Sequence, residues 1–140
     1  MKVLIADDDL VSRLLLEGYL QKWNYEIVVA KDGEEAWEKF QAGDFRMVIC
    51  DWMMPKVDGP ELIRRIRASG KSEYVYTLLL TAKSRKEELV EGMESGADDF
   101  ISKPFDHDEL RMRLRAGERI INLEQSLRAA KEKFDDESND

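Results

Sequence analysis

The chain alternates short apolar runs with longer segments in which apolar residues recur every three or four positions. Short continuous apolar runs are typical of strands buried on both faces, and the longer spacing is typical of helices with one buried face. The two patterns alternate five times with short links. Because parallel strands need crossover connections, this order predicts an α/β protein whose parallel sheet is covered by helices on both sides. The predicted strands are residues 3–6, 25–30, 47–50, 75–80 and 99–102.

Polar residues mark the ends of the predicted helices. The stretch Ser84-Arg85-Lys86-Glu87 fits a capping box, and Gly96 is predicted to end the helix that this box begins. Asp9 and Asp106 are predicted to cap the first and last helices, because their side chains can accept from the first helical amides. The second helix is predicted to begin at Asp32-Gly33-Glu34-Glu35, and the third at Asp58-Gly59-Pro60, with proline in the first turn. The apolar stripes predicted for the first four helices are Leu10, Leu14, Leu15, Tyr19 and Leu20; Ala36, Trp37 and Phe40; Leu62, Ile63 and Ile66; and Leu89, Val90 and Met93.

The last helix carries two apolar stripes, and the second suggests a further contact. The first stripe, predicted to pack on the sheet, is Leu110, Leu114, Gly117 and Ile121, with Gly117 a candidate bend. The second runs at 4-3-4-3-4 spacing, which is a heptad pattern of under three repeats, through Ala116, Ile120, Leu123, Leu127, Ala130 and Phe134. We therefore predict a globular domain over residues 1–118, a C-terminal helical extension and candidate coiled-coil linker over 119–134, and a frayed acidic tail over 135–140.

Composition and charge narrow the function classes. A length of 140 residues fits one domain with a proper core, and a net charge of −8 argues against contact with nucleic acid or an anionic membrane. No apolar run approaches the ~18 residues of a membrane span, and no signal peptide opens the chain, so the cytoplasm is the expected location. The single cysteine, Cys50, cannot form an internal disulfide and is predicted to lie in the core.

Candidate chemistry collects where the predicted strands end. Asp7 and Asp8 follow the first strand, Asp51 the third, Thr81 the fourth and Lys103 the fifth. Ligands of open parallel sheets bind at this carboxyl edge, and converging carboxylates need a cation such as Mg²⁺. A carboxylate there can act as a nucleophile and form an acyl phosphate, with a hydroxyl and an ammonium group holding the phosphoryl oxygens. We therefore predict that Asp51 is a phosphate acceptor.

The same residues resemble a known family. The chain is similar to the receiver domain of two-component response regulators, a flavodoxin-like module whose best-known member is the single-domain chemotaxis regulator. The resemblance covers roughly residues 1–118 and implies a doubly wound five-stranded parallel sheet of order 2-1-3-4-5 with five helices, the last one extended. The matching motifs are Asp7-Asp8, Asp51 with Met54-Pro55 and Asp58-Gly59, Thr81-Ala82, and Lys103-Pro104-Phe105.

The resemblance implies a role for each residue of the acidic site. Asp51 is the expected phosphoacceptor, taking its phosphoryl group from a histidine kinase or a phosphotransfer protein. Asp8 is expected to bind Mg²⁺ directly, Asp7 mostly through water and Met53 through its backbone carbonyl, with Mn²⁺ as a substitute ion. The side chains of Met53 and Met54 are otherwise predicted to pack. Lys103 matches the invariant cation of the family.

Further expectations concern the switch. Thr81 and Phe100 match its hydroxyl and aromatic positions, although the family more often has tyrosine at the second. The Lys103–Pro104 bond is usually cis in the family. Trp52 is expected to touch the edge of the site, and His107 to be a surface residue. The switching surface is expected to be the fourth helix, fifth strand and fifth helix. A homodimer through that face or through the C-terminal helix is a further expectation.

Two other functions remain open from the residues alone. Asp7-Asp8-Asp9-Leu10-Val11 fits the Asp-x-Asp-x-Val/Thr pattern of haloacid-dehalogenase-type phosphatases, with Asp7 as nucleophile. The chain is short for the cap domain of such an enzyme, and Asp51 then has no role. The other alternative is a phosphorylation-independent interaction module that uses the helical heptad pattern. The expectation is a signalling domain without substrate turnover beyond autophosphatase activity, either standing alone or taken from a longer chain.

Overall fold

The computed structural model describes residues 1–82 and 86–138. Five parallel strands form one sheet of order β2-β1-β3-β4-β5, which confirms the predicted α/β class and strand order. The strands are β1 (Lys2–Ala6), β2 (Glu26–Ala30), β3 (Met47–Asp51), β4 (Tyr76–Thr81) and β5 (Asp99–Ser102). The helices are α1 (Leu10–Lys22), α2 (Gly33–Ala42), α3 (Gly59–Ala68), α4 (Lys86–Glu94) and α5 (His107–Ser138).

The sheet separates two apolar cores, because successive strand residues point to opposite faces. In β3, Val48 and Cys50 join the core under α2 and α3, whereas Met47 and Ile49 join the core under α1 and α5. All five residues of β3 are buried. The central strands therefore read as continuous apolar runs, and Cys50 is a core residue as predicted.

The predicted helix starts are largely confirmed. Asp9, Asp32 and Asp58 each cap a helix through a side-chain oxygen that accepts a backbone amide of the first turn. Asp106 does the same for α5, where its Oδ1 accepts from the amide of Asp108 at 2.7 Å. Gly96 follows the end of α4 with a φ of +105°, a left-handed conformation that favours glycine. Ser84 and Arg85 of the predicted capping box lie outside the described residues.

The inner faces predicted for α1 and α4 are partly wrong. In the stripe predicted for α1, Leu10, Leu14 and Leu15 are exposed and Leu20 is buried, while Ser12 and Leu16, which lie outside that stripe, are buried as well. In α4, Val90 and Met93 are exposed. The side of α4 that meets the sheet carries Gly92, because the indole of Trp52 and the side chain of Leu79 already fill the space there.

α5 is one continuous helix of 32 residues. Its predicted sheet-packing stripe is confirmed, since Leu110, Leu114 and Ile121 are fully buried. Gly117 has a packing reason: a Cβ at this position would lie 2.6 Å from the ring of Tyr76. The helix continues to Ser138, so the described part of the predicted frayed tail is helical. The division of the chain near residue 118 stays a prediction.

Beyond Gly117, polar contacts attach α5 to the amino-terminal edge of the sheet, where β3 and β4 begin. Glu124 lies 4.0 Å from Arg46, which also pairs with Glu73 at 2.9 Å. Arg128 lies 3.6 Å from Glu124 and donates to the hydroxyl of Ser72 at 3.4 Å. We call these contacts the α5 brace. Over the described ranges, no helix is both long and apolar enough to cross a membrane.

A second polar cluster connects α3 to the loop before β5. The guanidinium of Arg67 donates to Asp98 at 2.6 Å, to the hydroxyl of Thr77 at 3.0 Å, and to the carbonyls of Val75 and Gly96 at 2.7 and 2.9 Å. Asp98 also accepts from the amide of Thr77 at 2.8 Å. Because these groups are partly buried and hydrogen-bonded to one another, they hold α3, β4 and the α4–β5 connection together.

Candidate functional site

The polar residues predicted to converge do so at the carboxyl edge of the sheet. Asp7 directly follows β1, Asp51 and Thr81 are the last residues of β3 and β4, and Lys103 directly follows β5. Register brings the strand ends level, since Asp51 pairs with Leu80 across β3 and β4. The strand order alone would place these side chains at one edge, and the pairing register brings them within contact distance.

Three carboxylates form an acidic pocket at this edge. Asp7, Asp8 and Asp51 each offer an oxygen within 4.8 Å of the others. Asp7 and Asp51 are buried, whereas Asp8 is exposed to solvent. A set of hard oxygen donors with one open side suits Mg²⁺, which prefers carboxylate oxygens and keeps part of its water shell. The residues present therefore fit a magnesium ion.

Lys103 bridges the two buried carboxylates. Its Nζ lies 2.9 Å from Asp51 Oδ2 and 3.1 Å from Asp7 Oδ2. Burial by itself lowers the pKa of Lys103, but the hydrogen bond and charge of Asp51, together with Asp7, outweigh burial and raise it above its usual value. Lys103 therefore stays a cation between the two carboxylates.

Among the three carboxylates, Asp51 is the one whose charged form is disfavoured by its surroundings. Burial raises the pKa of its carboxyl group to about 6, against the lowering effect of the hydrogen bond from Lys103, and the charge of Asp7 adds to the rise. The charged form of Asp51 is therefore held at a cost that a bound cation would relieve.

Asp7 is held firmly by its surroundings. Its Oδ1 accepts from the amide of Asp9 at 2.9 Å, and its own amide donates to the carbonyl of Ala30 at 3.2 Å. The carbonyl of Asp7 accepts from the guanidinium of Arg13 at 2.9 Å. Sequence reasoning missed Arg13, and its position on α1 gives no signal for this contact. Asp9 itself caps α1 and faces solvent.

The loop after β3 is fixed against the start of α2. Gly33 lets the carbonyl of Val57 approach so closely that an added Cβ would lie 1.8 Å from its oxygen. Lys56 adds ion pairs to Glu34 and Asp32 at 3.5 and 3.9 Å. Met54 is buried as predicted, but the side chain of Met53 is exposed and does not pack. The loop that carries the Met53 carbonyl is thus anchored at its far end.

The switch candidates lie on neighbouring strands. Thr81 is fully buried, and its carbonyl accepts from the amide of Lys103 at 2.7 Å. Phe100 on β5 is partly buried against the core under α2 and α3. The Lys103–Pro104 bond is cis, as predicted. Trp52 directly follows Asp51 and is buried in the core beside α4, and its contact with the edge of the site stays a prediction.

His107 is exposed, as predicted. Its ring pairs with Asp108 at 3.1 Å and lies 5.6 Å from the ring of Tyr19. A second group of potential metal ligands, Asp106, His107 and Asp108, lies exposed at the surface. Asp106 is already engaged as the cap of α5. These residues lie apart from the acidic pocket and are not assigned to it.

The chain is similar in sequence to response regulators. The response regulator receiver domain family matches residues 3–115. The transcriptional regulatory protein RprY of Bacteroides fragilis is 37% identical over 116 residues, covering 83% of this chain and 48% of that protein. ResD of Bacillus subtilis, also a transcriptional regulatory protein, is 38% identical over 115 residues, covering 82% and 47%. The chain therefore spans about half the length of these curated relatives.

Solved structures give the same result for the fold and the family. The receiver domain of the Francisella response regulator 1452 superposes with a TM-score of 0.77 at 33% identity, covering 83% of this chain and 94% of that one. The chemotaxis response regulator CheY4 of Vibrio cholerae gives 0.78 at 33% identity, with coverages of 83% and 97%.

Proposed function

The chain belongs to the response regulator receiver family, and from the geometry of its acidic pocket we propose that Asp51 is the residue that accepts the phosphoryl group. The observation that carries this proposal is the contact of 2.9 Å between Asp51 Oδ2 and Lys103 Nζ, next to Asp7 and Asp8. It combines a buried carboxylate nucleophile with a fixed cation. Receiver domains act in two-component signalling, and the expected phosphodonor is a histidine kinase or a phosphotransfer protein.

The proposed reaction is an in-line phosphoryl transfer. An Asp51 carboxylate oxygen forms a bond to phosphorus while the phosphorus–nitrogen bond of the donor's phosphohistidine breaks, and the imidazole leaves with its electron pair. Lys103 then donates to a phosphoryl oxygen instead of to the two carboxylates, and the hydroxyl of Thr81 donates to another. Because Lys103 is already positioned, little reorganisation is needed during transfer.

A divalent cation completes this proposal. Asp8, Asp51 and the backbone carbonyl of Met53 would hold Mg²⁺, with Asp7 acting mostly through water, and Mn²⁺ is the proposed substitute. When bound, Mg²⁺ neutralises the carboxylate charge and the charge on the phosphoryl oxygens. The raised pKa of Asp51 supports the need for such an ion, because the carboxylate lacks full compensation from Lys103 alone.

We propose that Thr81 and Phe100 pass the change to the surface of α4, β5 and α5. Support comes from a groove of about 430 Å³ on this surface. It is lined by Leu89, Val90, Met93 and Glu94 of α4 and by Phe100. A shift of the Phe100 ring toward Thr81 would change the shape of this groove, so a local event at Asp51 has a route to an exposed apolar surface.

An exposed apolar face of α1 lies beside the acidic pocket. Leu10, Val11, Leu14 and Leu15 expose an apolar face of α1. A groove of about 320 Å³ runs from Val11 and Leu15 to Lys103. We propose that a helix of the phosphodonor protein packs on this face, because a donor histidine must reach Asp51 from the same side. We also propose a homodimer, through the surface of α4, β5 and α5 or through the C-terminal helix.

The other two functions are less well supported. A phosphatase with Asp7 as nucleophile requires that carboxylate to reach a substrate, yet Asp7 is fully buried and both of its oxygens contact Lys103. Asp9, which would be its partner acid, caps α1. A phosphorylation-independent module leaves the acidic pocket without a role. We therefore propose a signalling domain without substrate turnover beyond autophosphatase activity, with the cytoplasm as the predicted location.

The test is phosphorylation of the purified chain by a small phosphodonor. With acetyl phosphate and Mg²⁺, intact-mass spectrometry should show one added phosphoryl group, which Asp51→Asn abolishes and Asp7→Asn only slows. Beryllofluoride with Mg²⁺ should change the Trp52 emission in a Trp23→Phe, Trp37→Phe background. A correctly folded chain that shows neither response contradicts the proposal, and turnover that survives Asp51→Asn but not Asp7→Asn would identify a phosphatase.

A further inference from the structure

The C-terminal half of α5 carries an apolar face that nothing in the described chain covers. Ile120, Leu123, Leu127 and Phe134 expose 41, 64, 71 and 69% of their surface. Together with Ala116 and Ala130, they form the 4-3-4-3-4 pattern, which we call the seam. Large exposed side chains at regular helical spacing indicate a contact surface, because scattered surface leucines need not share one face.

The α5 brace fixes the direction in which the seam points. Ile121 is fully buried, and Glu124 and Arg128 contact Arg46 and Ser72 on the same side of the helix. At about 100° per residue, that side lies roughly a third of a turn from the centre of the seam. The body of the domain therefore flanks the seam without covering it. A second helix can approach along the open side.

The seam residues suit a partner with the same sequence. In heptad terms Ile120, Leu127 and Phe134 occupy a positions, and Leu123 and Ala130 occupy d positions. Ile120 at a and Leu123 at d form the pair of layers that favours two parallel strands, namely a β-branched residue at a with leucine at d. In a parallel pair, the small Ala130 layer lies next to the Phe134 layer and leaves space for the two rings. Glu137 occupies the next d position, so the seam ends at Phe134.

Charges beside the seam distinguish the two helix directions. In a parallel, in-register pair, Arg119 at position g faces Glu124 at position e of the other copy, twice by symmetry. In the antiparallel register that pairs every seam residue, Leu123 lies opposite Leu127 of the other copy. Arg119 then faces Lys133, and Glu124 faces its own counterpart. Like charges at these flanking positions disfavour the antiparallel pair.

We propose that the occupant of the seam is a second copy of this chain, joined in a parallel, in-register two-stranded coiled coil over residues 116–134. Within its own chain Glu124 has only long ion pairs, at 3.6 Å to Arg128 and 4.0 Å to Arg46, so its carboxylate can also pair with the partner's Arg119. Two-fold symmetry then places the two bodies on opposite sides of the coil. The pairing does not depend on phosphoryl transfer at Asp51.

The first test is the mass of the full chain by light scattering over a concentration series up to about 1 mM, since so short a seam pairs weakly. The wild-type mass should rise from 16.3 kDa toward twice that value. Leu127→Asp should stay at the monomer mass, whereas the matched control Gln125→Asp, which adds the same charge outside the seam, should follow the wild type. Circular dichroism checks that both variants remain folded.

A wild-type chain that stays monomeric throughout overturns the proposal, and so does a dimer that Leu127→Asp leaves intact. Asp51→Asn, which blocks phosphorylation, should give the wild-type curve. A failure at the acidic pocket is thereby separated from a failure of the seam.

The second test is the helix direction. Ala130→Cys, at a d position, should form a disulfide-linked dimer when diamide takes up the two thiol hydrogens, because d residues of a parallel pair face each other. The matched control Ala129→Cys lies outside the seam and should cross-link at least ten times more slowly. Cys50 is buried and should contribute no cross-link in the wild type. Equal rates for the two variants overturn the parallel arrangement.

Discussion

The indole of Trp52 lies against the backbone of Gly92, so that an added Cβ on Gly92 would be 3.1 Å from the ring. Trp52 directly follows Asp51, and Gly92 lies on the side of α4 that meets the sheet. The distance between α4 and the end of β3 is therefore set by a bulky ring on one side and a missing side chain on the other. This contact joins the proposed phosphoacceptor strand to the helix of the proposed switching surface.

Gly92→Ala should test that contact. Alanine favours a helix by about 1 kcal/mol over glycine, but here its methyl group must displace the Trp52 ring or the side chain of Leu79 by a few tenths of an ångström. We expect a loss of about 1–2 kcal/mol relative to the control Gly18→Ala, whose Cβ meets no atom within 4 Å. Urea unfolding measures both. If Gly92→Ala and Gly18→Ala stabilised the protein equally, the space between Gly92 and the Trp52 ring would be large enough for a methyl group.

Much of the fold follows from sequence because the central strands are buried on both faces. β3 is buried along its whole length, so its apolar run is continuous and its limits agree with prediction to within one residue. The inner face of α1 could not be predicted in the same way. Leu10 and Leu14 share one helical phase, and Leu16 and Leu20 share another, and packing against the sheet buried the second together with the polar Ser12.

In the candidate site, too, one part could be predicted from the sequence and another could not. Its members could be predicted, because parallel strands bring Asp7, Asp51 and Lys103 to the same edge. Their contacts could not, since the distance of 2.9 Å between Lys103 and Asp51 depends on pairing register and on a loop conformation set 52 residues away along the chain. The contacts of Gly92 and Gly117 were also missed, because a glycine within a helix does not reveal which neighbour requires it.

Asp51→Asn should stabilise the metal-free protein. The pKa of Asp51 is raised from 3.8 to about 6, so the folded state binds this proton more tightly than the unfolded state does. The wild type should therefore lose stability relative to Asp51→Asn as pH rises from about 4 to about 6, and should remain less stable above that window. We expect a difference on the order of 1–3 kcal/mol at pH 7.5 from thermal melts.

Added Mg²⁺ provides the control for this prediction. It should raise the melting temperature of the wild type more than that of Asp51→Asn, since the variant has lost one of the proposed ligands. A variant that is less stable than the wild type without metal would mean that the ion pair with Lys103 outweighs the cost of burial.

Lys103→Met should separate cation binding from phosphoryl transfer. The substitution removes the ammonium group between Asp7 and Asp51 and leaves the carboxylates without their internal counter-ion. Mg²⁺ should bind at least as tightly as in the wild type, measured by calorimetry. The rate of phosphorylation by acetyl phosphate should fall by roughly 10²-fold, because a preorganised donor to the phosphoryl group is lost. Lys22→Met, on the exposed end of α1, should change neither quantity.

Arg67→Ala should destabilise the domain without affecting the chemistry. The side chain donates to four acceptors, and its loss leaves Asp98 and the carbonyl of Val75 with fewer partners in a partly buried setting. We expect a loss of about 2–4 kcal/mol in urea unfolding. Arg64→Ala removes only exposed ion pairs at 3.7 and 4.0 Å and should cost under about 0.5 kcal/mol. If Arg67→Ala and Arg64→Ala lost similar amounts of unfolding free energy, the hydrogen bonds of Arg67 would not stabilise the domain more than exposed ion pairs do.

The α5 brace has a consequence for helical phase. Because Glu124 and Arg128 hold the helix to the body, the rotation of every later residue about the helix axis is fixed by its distance along the chain. Inserting one residue after Arg128 would turn Phe134 by about 100° away from Leu127, and an insertion of seven would nearly restore it. The number of residues between the α5 brace and a later position therefore determines the direction in which the side chain at that position points from the helix.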